Sequence, residues 1–368
     1  MSTQIHPEDK PGAGLCPTAH PSADMQILSK SKPGAGLNLT AHPSADMQIL
    51  SKSKPGAGQP SRWGEKPYYS LDFYLKQTFG EKVYRLSLDG GFSCPNRDGT
   101  LGTSGCLFCS AGGSGDFAAS RALSIRDQLM QAREKIAAKT NARRFIAYFQ
   151  AYTNTYAHTG YLRSIFSEAL SEPQIAALSV ATRADCLADE VLDLLCGLRE
   201  AFHKPVWVEL GVQSTFDKTL SRMACGFSYA DCARAIMYLH NRKIPTVAHL
   251  ILGLPGETKE MMLASLARIC HLPVSGLKLQ LLHILSGTGL GAEYEKKPFP
   301  VFEMEEYCQF LVDCIERIPP HIVLHRITGD GPKRLLIAPA WSGDKKRVLN
   351  RIHRIFAERG TWQGRLNH

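Results

Sequence analysis

The sequence predicts an α/β fold, a partial (βα)6 barrel that follows a disordered amino-terminal tail. From Val83 onward, six strand-like segments each precede a helix-like segment, and the short connections indicate a parallel sheet with right-handed crossovers. A chain of 368 residues that is 44% hydrophobic is long enough to bury a substantial core. Residues 1–60, in contrast, are rich in Pro, Gly, Ser and Lys, a composition typical of disorder.

The tail contains a near-exact tandem repeat, in which Lys10–Ser31 recurs as Lys32–Ser53. Two copies interrupted by Pro-Gly-Ala-Gly are too few to stack a continuous core, so the repeat does not predict a solenoid. The composition becomes globular after the tail. We therefore expect a disordered, repeat-containing tail over 1–60, a barrel core over 61–290, and a carboxy-terminal extension over 291–368 that closes the barrel.

Each element follows from its hydrophobic pattern. Short runs rich in Val, Ile, Leu and aromatic residues predict the strands, and longer segments whose apolar residues recur three or four positions apart predict the helices. The predicted strands are Val83–Leu88, Arg144–Phe149, Ile175–Thr182, Pro205–Leu210, Thr246–Leu252, Gly276–Leu282 and His321–Ile327. The predicted helices are Tyr68–Phe79, Ile125–Lys139, Tyr161–Leu170, Asp189–Ala201, Tyr229–Arg242, Thr258–His271, Phe302–Arg317 and Lys345–Arg359. In parallel barrels the reactive groups lie at the carboxyl ends of the strands, and each motif below falls there.

Composition and charge limit the class of protein. The eleven cysteines are an odd number dispersed through a long chain that opens with no signal peptide, so we expect a reducing, cytoplasmic location rather than a disulfide framework. No apolar run approaches the roughly 18 residues typical of a membrane span, and no membrane association is predicted. The 43 Lys and Arg outnumber the 34 Asp and Glu and give a formal charge of +9, which favours a polyanionic partner such as RNA.

The most informative motif is the glycine-rich stretch Ser87–Cys109, which follows the first predicted strand. Cys94, Cys106 and Cys109 stand there as the only cysteines. Three thiolates can hold three irons of a cubane cluster and leave the fourth iron open to a small molecule. The alternative is a structural zinc site, which needs a fourth ligand, usually from a second close cysteine pair that this sequence lacks. The spacing favours the iron–sulfur site and leaves zinc open.

The stretch SLDGGFSCPNRDGTLGTSGCLFC resembles the radical S-adenosylmethionine (SAM) enzymes, in the branch near the Elongator catalytic subunit that includes bacterial proteins with GGFSCPNRDG and GC-x-FC. The resemblance runs from about Tyr69 to Leu336. It implies that the three cysteines bind a [4Fe–4S] cluster and that SAM chelates the open iron. It further implies that reductive cleavage of SAM yields a 5′-deoxyadenosyl radical, which removes a hydrogen from the substrate. Phe108 matches the family's aromatic residue near the adenine.

The resemblance assigns SAM contacts to two strand ends that follow the cysteine loop. Gln150, in Phe149–Tyr152, lies where the family places polar groups against the methionyl amino group. Ala181–Asp185 resembles the family's TRPD motif, with Ala184 in place of the proline, and this match assigns Arg183 to the site.

Two later strand ends complete the expected SAM site. The run Leu-Gly-Val-Gln-Ser matches the family's LGVQS, in which Gln213 contacts the ribose. Glu209 precedes that run in a buried strand, where a carboxylate is costly without a partner, so we expect it to face the pocket. The run Gly-Leu-Pro-Gly-Glu resembles the family's adenine motif and assigns Gly253 and Pro255, while His249 takes the position of a ribose-contacting residue.

One position departs from the family. Beyond the ribose glutamine the family usually carries an arginine that grips the methionine carboxylate, and this chain has Cys225 there. A thiol cannot replace a bidentate guanidinium–carboxylate contact. Either Arg183 or Arg222 takes that role, or this chain binds SAM weakly.

Two expectations concern the last strands. By strand parity Lys278 and His283 point to opposite faces, so only one of them should reach the pocket. The run His325–Asp330 resembles the family's terminal segment that closes the barrel, which places Arg326 and Asp330 at the rim of the site.

For the substrate, the Elongator-like resemblance and the charge together indicate tRNA, at the side chain of a wobble uridine. Such an enzyme needs an external electron donor of the flavodoxin or ferredoxin type. Two alternatives stay open. One is a small-molecule substrate, as in the related oxygen-independent coproporphyrinogen oxidases. The other is a protein that binds the cluster or RNA and has lost turnover.

Overall fold

Seven parallel strands form one curled sheet whose spatial order is their order along the chain. The computed structural model describes residues 62–329 and 331–367, so the predicted disordered tail and Asp330 lie outside the described residues. The strands are β1 (Val83–Leu88), β2 (Arg144–Phe149), β3 (Ile175–Thr182), β4 (Val206–Gln213), β5 (Thr246–Leu252), β6 (Gly276–Leu281) and β8 (Val323–Arg326). A separate antiparallel pair is formed by β7 (Ile284–Leu285) and β9 (Leu336–Ala338). The predicted partial barrel is confirmed.

Helices connect the strands and pack against the sheet. They are α1 (Leu71–Phe79), α2 (Ile125–Ala137), α3 (Thr159–Ser171), α4 (Asp189–Phe202), α5 (Asp217–Arg222), α6 (Tyr229–Asn241), α7 (Lys259–Cys270), α8 (Gly289–Lys296), α9 (Met304–Glu316) and α10 (Lys345–Arg359). All the predicted helices are present, with ends that differ by a few residues. The sequence did not predict α5, α8 or the β7–β9 pair, because these elements are too short to show a hydrophobic period.

Polar residues lie in register on one face of the sheet. Parallel pairing sets Tyr148 of β2 beside Ser179 of β3, and His249 of β5 beside Lys278 of β6. Glu209 of β4 pairs with positions two residues away from Ser179 and His249, and residues two apart along a strand share a face. The register therefore brings these side chains together inside the half-barrel.

The fourth strand runs three residues further than predicted. Its pairing with β5 shifts between Gly211 and Gln213, and Gln213 has a positive φ of 68°. A bulge of this kind bends the end of a strand and turns the next side chain to a new direction. The irregularity belongs to the run Leu210–Ser214, which the sequence identified as a motif rather than as strand.

The carboxy-terminal segment is held against the amino-terminal edge of the sheet by one buried side chain. Gln363 is fully buried, and its Nε2 donates to the carbonyl oxygens of Pro319 and Ile322, both at 2.9 Å. Its Oε1 accepts from the Tyr69 backbone N–H, also at 2.9 Å. One amide thus joins the segment before α1, the turn before β8 and the end of the chain.

We expect Gln363→Ala to lower the free energy of unfolding by about 3 kcal/mol, because it removes three hydrogen bonds to backbone groups, of which the Pro319 carbonyl keeps another donor, the Ile322 N–H. Equilibrium unfolding in urea measures this. The control is Gln131→Ala, which removes a partly exposed side chain on α2 and should change stability by less than about 0.5 kcal/mol. Equal effects of the two substitutions would contradict the role given to Gln363.

Candidate functional site

The loop after β1 carries the three cysteines to one cavity at the carboxyl ends of the strands. Cys94, Cys106 and Cys109 all line this cavity, and each is partly exposed. Tight backbone turns shape the loop: the N–H of Arg97 donates to the carbonyl of Cys94 (2.7 Å), and that of Cys109 to the carbonyl of Cys106 (2.9 Å). At Gly105 φ is +76°, and a Cβ there would lie 2.9 Å from the Arg97 guanidinium. The loop therefore needs glycine at that position.

Arg97 fixes the end of the cysteine loop. Its Nη2 donates to the carbonyl oxygens of Cys109 (3.1 Å) and Ser110 (2.7 Å). Its guanidinium also lies 5.7 Å from the centre of the Tyr152 ring, within the range of a cation–π contact. The third cysteine is thus placed by a cation that stays charged at any physiological pH.

Asn96 joins the same loop to a segment that follows α5. Its Nδ2 donates to the carbonyl oxygens of Ala224 (2.8 Å) and Cys225 (3.0 Å), and lies 3.4 Å from Cys106 Sγ. Asn96 is 4% exposed. The sequence motif contains this asparagine but does not indicate its role, because its partners lie far away along the chain.

The cysteines fit a cluster better than a single ion. Among the described residues, no three His, Cys, Asp or Glu side chains are close enough to hold one metal ion. A cubane needs a wider arrangement, because each of three irons takes one thiolate. The Cys225 thiol and Asn96 lower the pKa of Cys106 to about 7 although burial opposes this. Burial and the Cys106 thiol raise the pKa of Cys109 to about 11, because both disfavour the charged thiolate.

A fully buried carboxylate, Glu209, forms the floor of the cavity. Its Oε1 accepts from Ser179 Oγ at 3.0 Å, and its Oε2 contacts His249 Nε2 at 3.0 Å and Lys278 Nζ. Lys278, only 1% exposed, also donates to the Tyr148 hydroxyl at 3.0 Å. The floor is therefore a connected polar network, and each of the five neighbouring strands from β2 to β6 supplies one of its side chains.

The charges of this floor follow from burial and from the partners. Burial alone would raise the pKa of Glu209, but the Lys278 ammonium and a hydrogen bond from His249 hold it well below its usual range. Burial lowers the pKa of Lys278 to about 7 and, with Lys278 beside it, that of His249 to about 4. Glu209 is thus the charged partner of Lys278, and the neutral His249 donates to it through Nε2.

Most of the predicted SAM-site residues line this cavity. They are Phe108, Gln150, Arg183, Glu209, Gln213 and His249. Gly253 and Pro255 are not among the described residues that line it, although Ile251 of the same strand is. Their assignment to the adenine stays a prediction. Glu209 is placed beneath the cavity with both oxygens engaged, so its first role is to hold Lys278 and His249.

The prediction that only one of Lys278 and His283 reaches the pocket is wrong. Both Lys278 and His283 line the cavity, because β6 ends at Leu281 and the chain changes direction before His283. Arg326 also lines it, as expected, with its Nη1 3.5 Å from Gln280 Oε1. Strand parity holds only within one continuous strand.

Position 225 lacks the arginine that the family usually carries, but the neighbouring Arg183 can supply a positive charge there. Arg183 is 7% exposed, lines the cavity, and donates through Nη1 to the Cys225 carbonyl at 2.8 Å. Asp185 holds the other side of its guanidinium at 2.7 and 2.9 Å. Arg222 instead pairs with Glu293 at 3.1 Å on the surface. Of the two arginines considered from the sequence, Arg183 lines the cavity and Arg222 does not, and a contact with SAM stays a prediction.

Gln213 has the environment expected of a ligand-binding residue. Its Oε1 is buried, and no hydrogen-bond partner for it exists among the described residues. A buried amide oxygen without a partner is costly, and this one belongs to a residue that lines the cavity. It fits the predicted contact with a ribose hydroxyl.

A parallel half-barrel with a three-cysteine loop after its first strand defines an iron–sulfur enzyme. The model of the radical SAM superfamily matches residues 97–269, and that of the radical SAM C-terminal domain matches residues 274–358. The chain belongs to the radical SAM superfamily, and its cofactors are a [4Fe–4S] cluster and SAM.

Similar proteins agree with this membership. Protein YtqA of Bacillus subtilis (strain 168) is 40% identical over 301 residues, which cover 82% of this chain and 93% of that protein. Protein YhcC of Escherichia coli (strain K12) is 38% identical over 286 residues, which cover 78% and 91%. The structure of archaeal Methanocaldococcus infernus Elp3 with an N-terminal deletion (1–46) matches with a TM-score of 0.58 at 16% identity. That match spans 76% of this chain and 64% of the archaeal chain, and the likeness concerns the fold.

No helix of the described residues is long and apolar enough to cross a membrane.

We expect Gln213→Asn to weaken SAM binding about tenfold, which is the loss of one buried hydrogen bond. Asparagine tolerates the positive φ at this position, so the substitution shortens the side chain without straining the backbone. Anaerobic calorimetry with cluster-loaded protein measures the affinity. Gln309→Asn, at a partly exposed position of α9 outside the cavity lining, is the control, and an affinity equal to that of the control would refute the ribose contact.

A second prediction concerns the buried ion pair. Glu209→Gln should lower the free energy of unfolding by about 3–5 kcal/mol, because Lys278 is left buried beside a neutral amide. Adding Lys278→Met should recover much of that loss, since neither charge then remains. The control is Glu306→Gln in the half-exposed Lys259–Glu306 pair, with a change below about 1 kcal/mol. Losses that simply add in the double variant would show that the two charges do not interact.

Proposed function

We propose that this radical SAM enzyme modifies tRNA, at a wobble uridine. The observation that carries the proposal is the polar floor of the cavity. Tyr148, Lys278 and His249 present hydroxyl, ammonium and imidazole groups to the same cavity as the cysteines. The edge of a uracil base offers one N–H donor and two carbonyl acceptors, which such groups can match. A large apolar ring system finds fewer complementary groups in this floor.

A nucleotide of the anticodon loop is a suitable substrate because its base is accessible. Proteins recognise RNA sequence chiefly in single-stranded loops, where a base can be turned out of its stack at low cost. The cavity lies at the open ends of the strands, where a turned-out base can enter. The formal charge of +9 supports a polyanionic partner, because phosphate contacts supply most of the non-specific affinity for nucleic acids.

One side of the cavity would hold the cluster and SAM, and the floor would hold the substrate base. The three cysteines hold the cluster, and Gln213, Gln150 and Arg183 orient SAM beside it. When bound, the cluster and SAM supply hydrogen-abstracting radical chemistry. The buried network of the floor orients the base so that one carbon–hydrogen bond faces that chemistry.

Reductive cleavage of SAM requires an electron from an external donor. We infer a donor of the flavodoxin or ferredoxin type and a reducing, cytoplasmic location, since the cysteines of the described chain are all free thiols. Free thiols and a reducible cluster both persist best in a reducing compartment.

Nucleoside analysis of tRNA tests the proposal. Deleting the gene should remove or alter one modified uridine, and the wild-type gene should restore it. A gene encoding Cys106→Ala should not restore it, because a cluster ligand is lost. A gene encoding Cys314→Ala should restore it, since this cysteine is buried in α9 and does not line the cavity. Unchanged tRNA nucleosides after deletion would overturn the tRNA proposal.

A reconstituted reaction separates the alternatives. Purified protein with its cluster, SAM and a reductant should form 5′-deoxyadenosine faster when tRNA is added, and salt should suppress the stimulation. Formation that tRNA does not affect would support a small-molecule substrate. An intact cluster that forms no 5′-deoxyadenosine with tRNA, while tRNA still binds, would support a protein without turnover.

A further inference from the structure

An exposed aromatic side chain lies at the mouth of the cavity. Phe117, in the segment between β1 and α2, is 54% exposed and lines the same cavity as the cysteines. Among the described residues, it is the one large apolar side chain that is exposed and also lines this cavity. Single exposed apolar residues are common on protein surfaces, so the informative feature is the position of this ring.

Hydrogen bonds hold the segment that carries Phe117. The Tyr152 N–H donates to the Gly113 carbonyl at 2.8 Å, and Ser110 Oγ donates to Asp116 Oδ2 at 2.7 Å. The ring is thus presented on an anchored segment. A side chain that is already positioned loses less entropy when a ligand binds to it.

A cationic segment follows the last strand of the same sheet. Gly331 and Pro332 line the cavity, and the exposed side chains of Lys333 and Arg334 come directly after them. Over residues 331–347 the chain carries five Lys and Arg and one acidic residue. This part of the surface therefore has an excess of positive charge beside the cavity.

Backbone contacts hold the cationic segment in place. The Ser286 N–H donates to the Leu335 carbonyl at 2.7 Å, and Leu336 of β9 pairs with Leu285 of β7, which itself lines the cavity. Because β1 and β8 are the two edge strands of the curled sheet, Phe117 and the cationic segment belong to the loops after its two edges. Both loops adjoin one cavity.

An aromatic ring and cations around one opening are typical of surfaces that bind single-stranded nucleic acid. The ring stacks on an unpaired base, and the Lys and Arg side chains contact the neighbouring phosphates. A duplex keeps its bases stacked on one another and offers no free face to the ring. The combination therefore fits a single-stranded RNA loop better than a duplex.

We propose that Phe117, Lys333 and Arg334 form an RNA-binding rim of the cavity. Phe117 stacks on a base next to the nucleotide that enters the cavity, and the two cations contact phosphates of the same single-stranded loop. The inference rests on the proposed function and gives it a binding surface outside the SAM site. Salt separates the two kinds of contact, because phosphate contacts weaken as salt rises and stacking does not release counterions.

The stacking contact is tested with two RNAs and the cluster-loaded protein. One RNA is a hairpin with an anticodon-loop sequence that has uridine at the wobble position, and the other is a duplex of equal length. Anaerobic fluorescence anisotropy over a series of salt concentrations measures the affinities. Phe117→Ala should weaken hairpin binding about tenfold and leave both duplex binding and the salt dependence unchanged.

Three further variants show whether the ring itself matters. Phe117→Leu keeps an apolar side chain without a ring and should behave as the alanine variant does. Phe117→Trp keeps a ring and should retain the wild-type affinity. The control is Met130→Ala, because Met130 is 53% exposed on α2 and does not line the cavity.

The phosphate contacts are tested by the double variant Lys333→Gln, Arg334→Gln. It should weaken hairpin binding and reduce the slope of log K against log salt by about 1.4, as expected for two contacts to a single strand. The matched control is Lys82→Gln with Arg143→Gln. It removes the same charge from exposed side chains just before β1 and β2, at the opposite end of the strands.

The outcomes separate this inference from the proposed function. Hairpin affinity of Phe117→Ala equal to that of Met130→Ala overturns the inference, and so does a salt slope of the Lys333 and Arg334 variant equal to that of its control. Slower reduction of the cluster by flavodoxin in these variants, with hairpin binding at the control level, also overturns it, because the surface would then serve the electron donor.

Nucleoside analysis of tRNA after deletion of the gene tests the proposed function separately. A modified uridine that is lost on deletion, together with variants that bind the hairpin as their controls do, overturns this inference and leaves the proposed function standing. Wild-type protein that binds neither RNA contradicts both.

Discussion

The structure depends on a buried carboxylate that must have partners. Glu209 has no exposed surface, and an unpaired charge at such a position would cost several kcal/mol. Lys278, His249 and Ser179 supply the partners from the neighbouring strands. All of them lie on strands that pair in parallel register. The strand pairing that forms the sheet therefore also brings this carboxylate its partners. A shift of one residue in any strand would turn its polar group to the opposite face.

The two sides of the cavity are built differently, and the difference suits two ligands. The floor is carried by strands, so its hydrogen bonds are fixed by the sheet. The cysteine loop lies outside the sheet. It is held by backbone hydrogen bonds to Met223, Thr153 and Leu290 and by the side chains of Arg97 and Asn96, which bond to backbone carbonyls. The position of the floor thus depends on strand pairing, and the position of the cysteines depends on contacts between loops.

Much of the fold could be predicted from the sequence, because short runs rich in apolar residues predicted the bounds of β1, β2, β3 and β5 to the residue. The bulge at Gly211 could not be predicted, since it depends on pairing between strands. The cysteines and Gln213 could be predicted from motifs. Lys278 was left undecided, because its partner Glu209 is 69 residues away in sequence. Asn96 was missed for the same reason: only the folded chain brings it to the carbonyls that follow α5.

The structure around Cys225 changes how this departure from the family is interpreted. The sequence indicates that a cation is missing at this position, which would weaken SAM binding. In the structure the cation is present nearby, since Arg183 donates to the Cys225 carbonyl and lines the same cavity. A guanidinium at position 225 itself would have to share buried space with Arg183 and Asn96, and two adjacent cations repel. A small thiol avoids that conflict. The replacement is therefore consistent with a site in which Arg183 supplies the positive charge beside position 225.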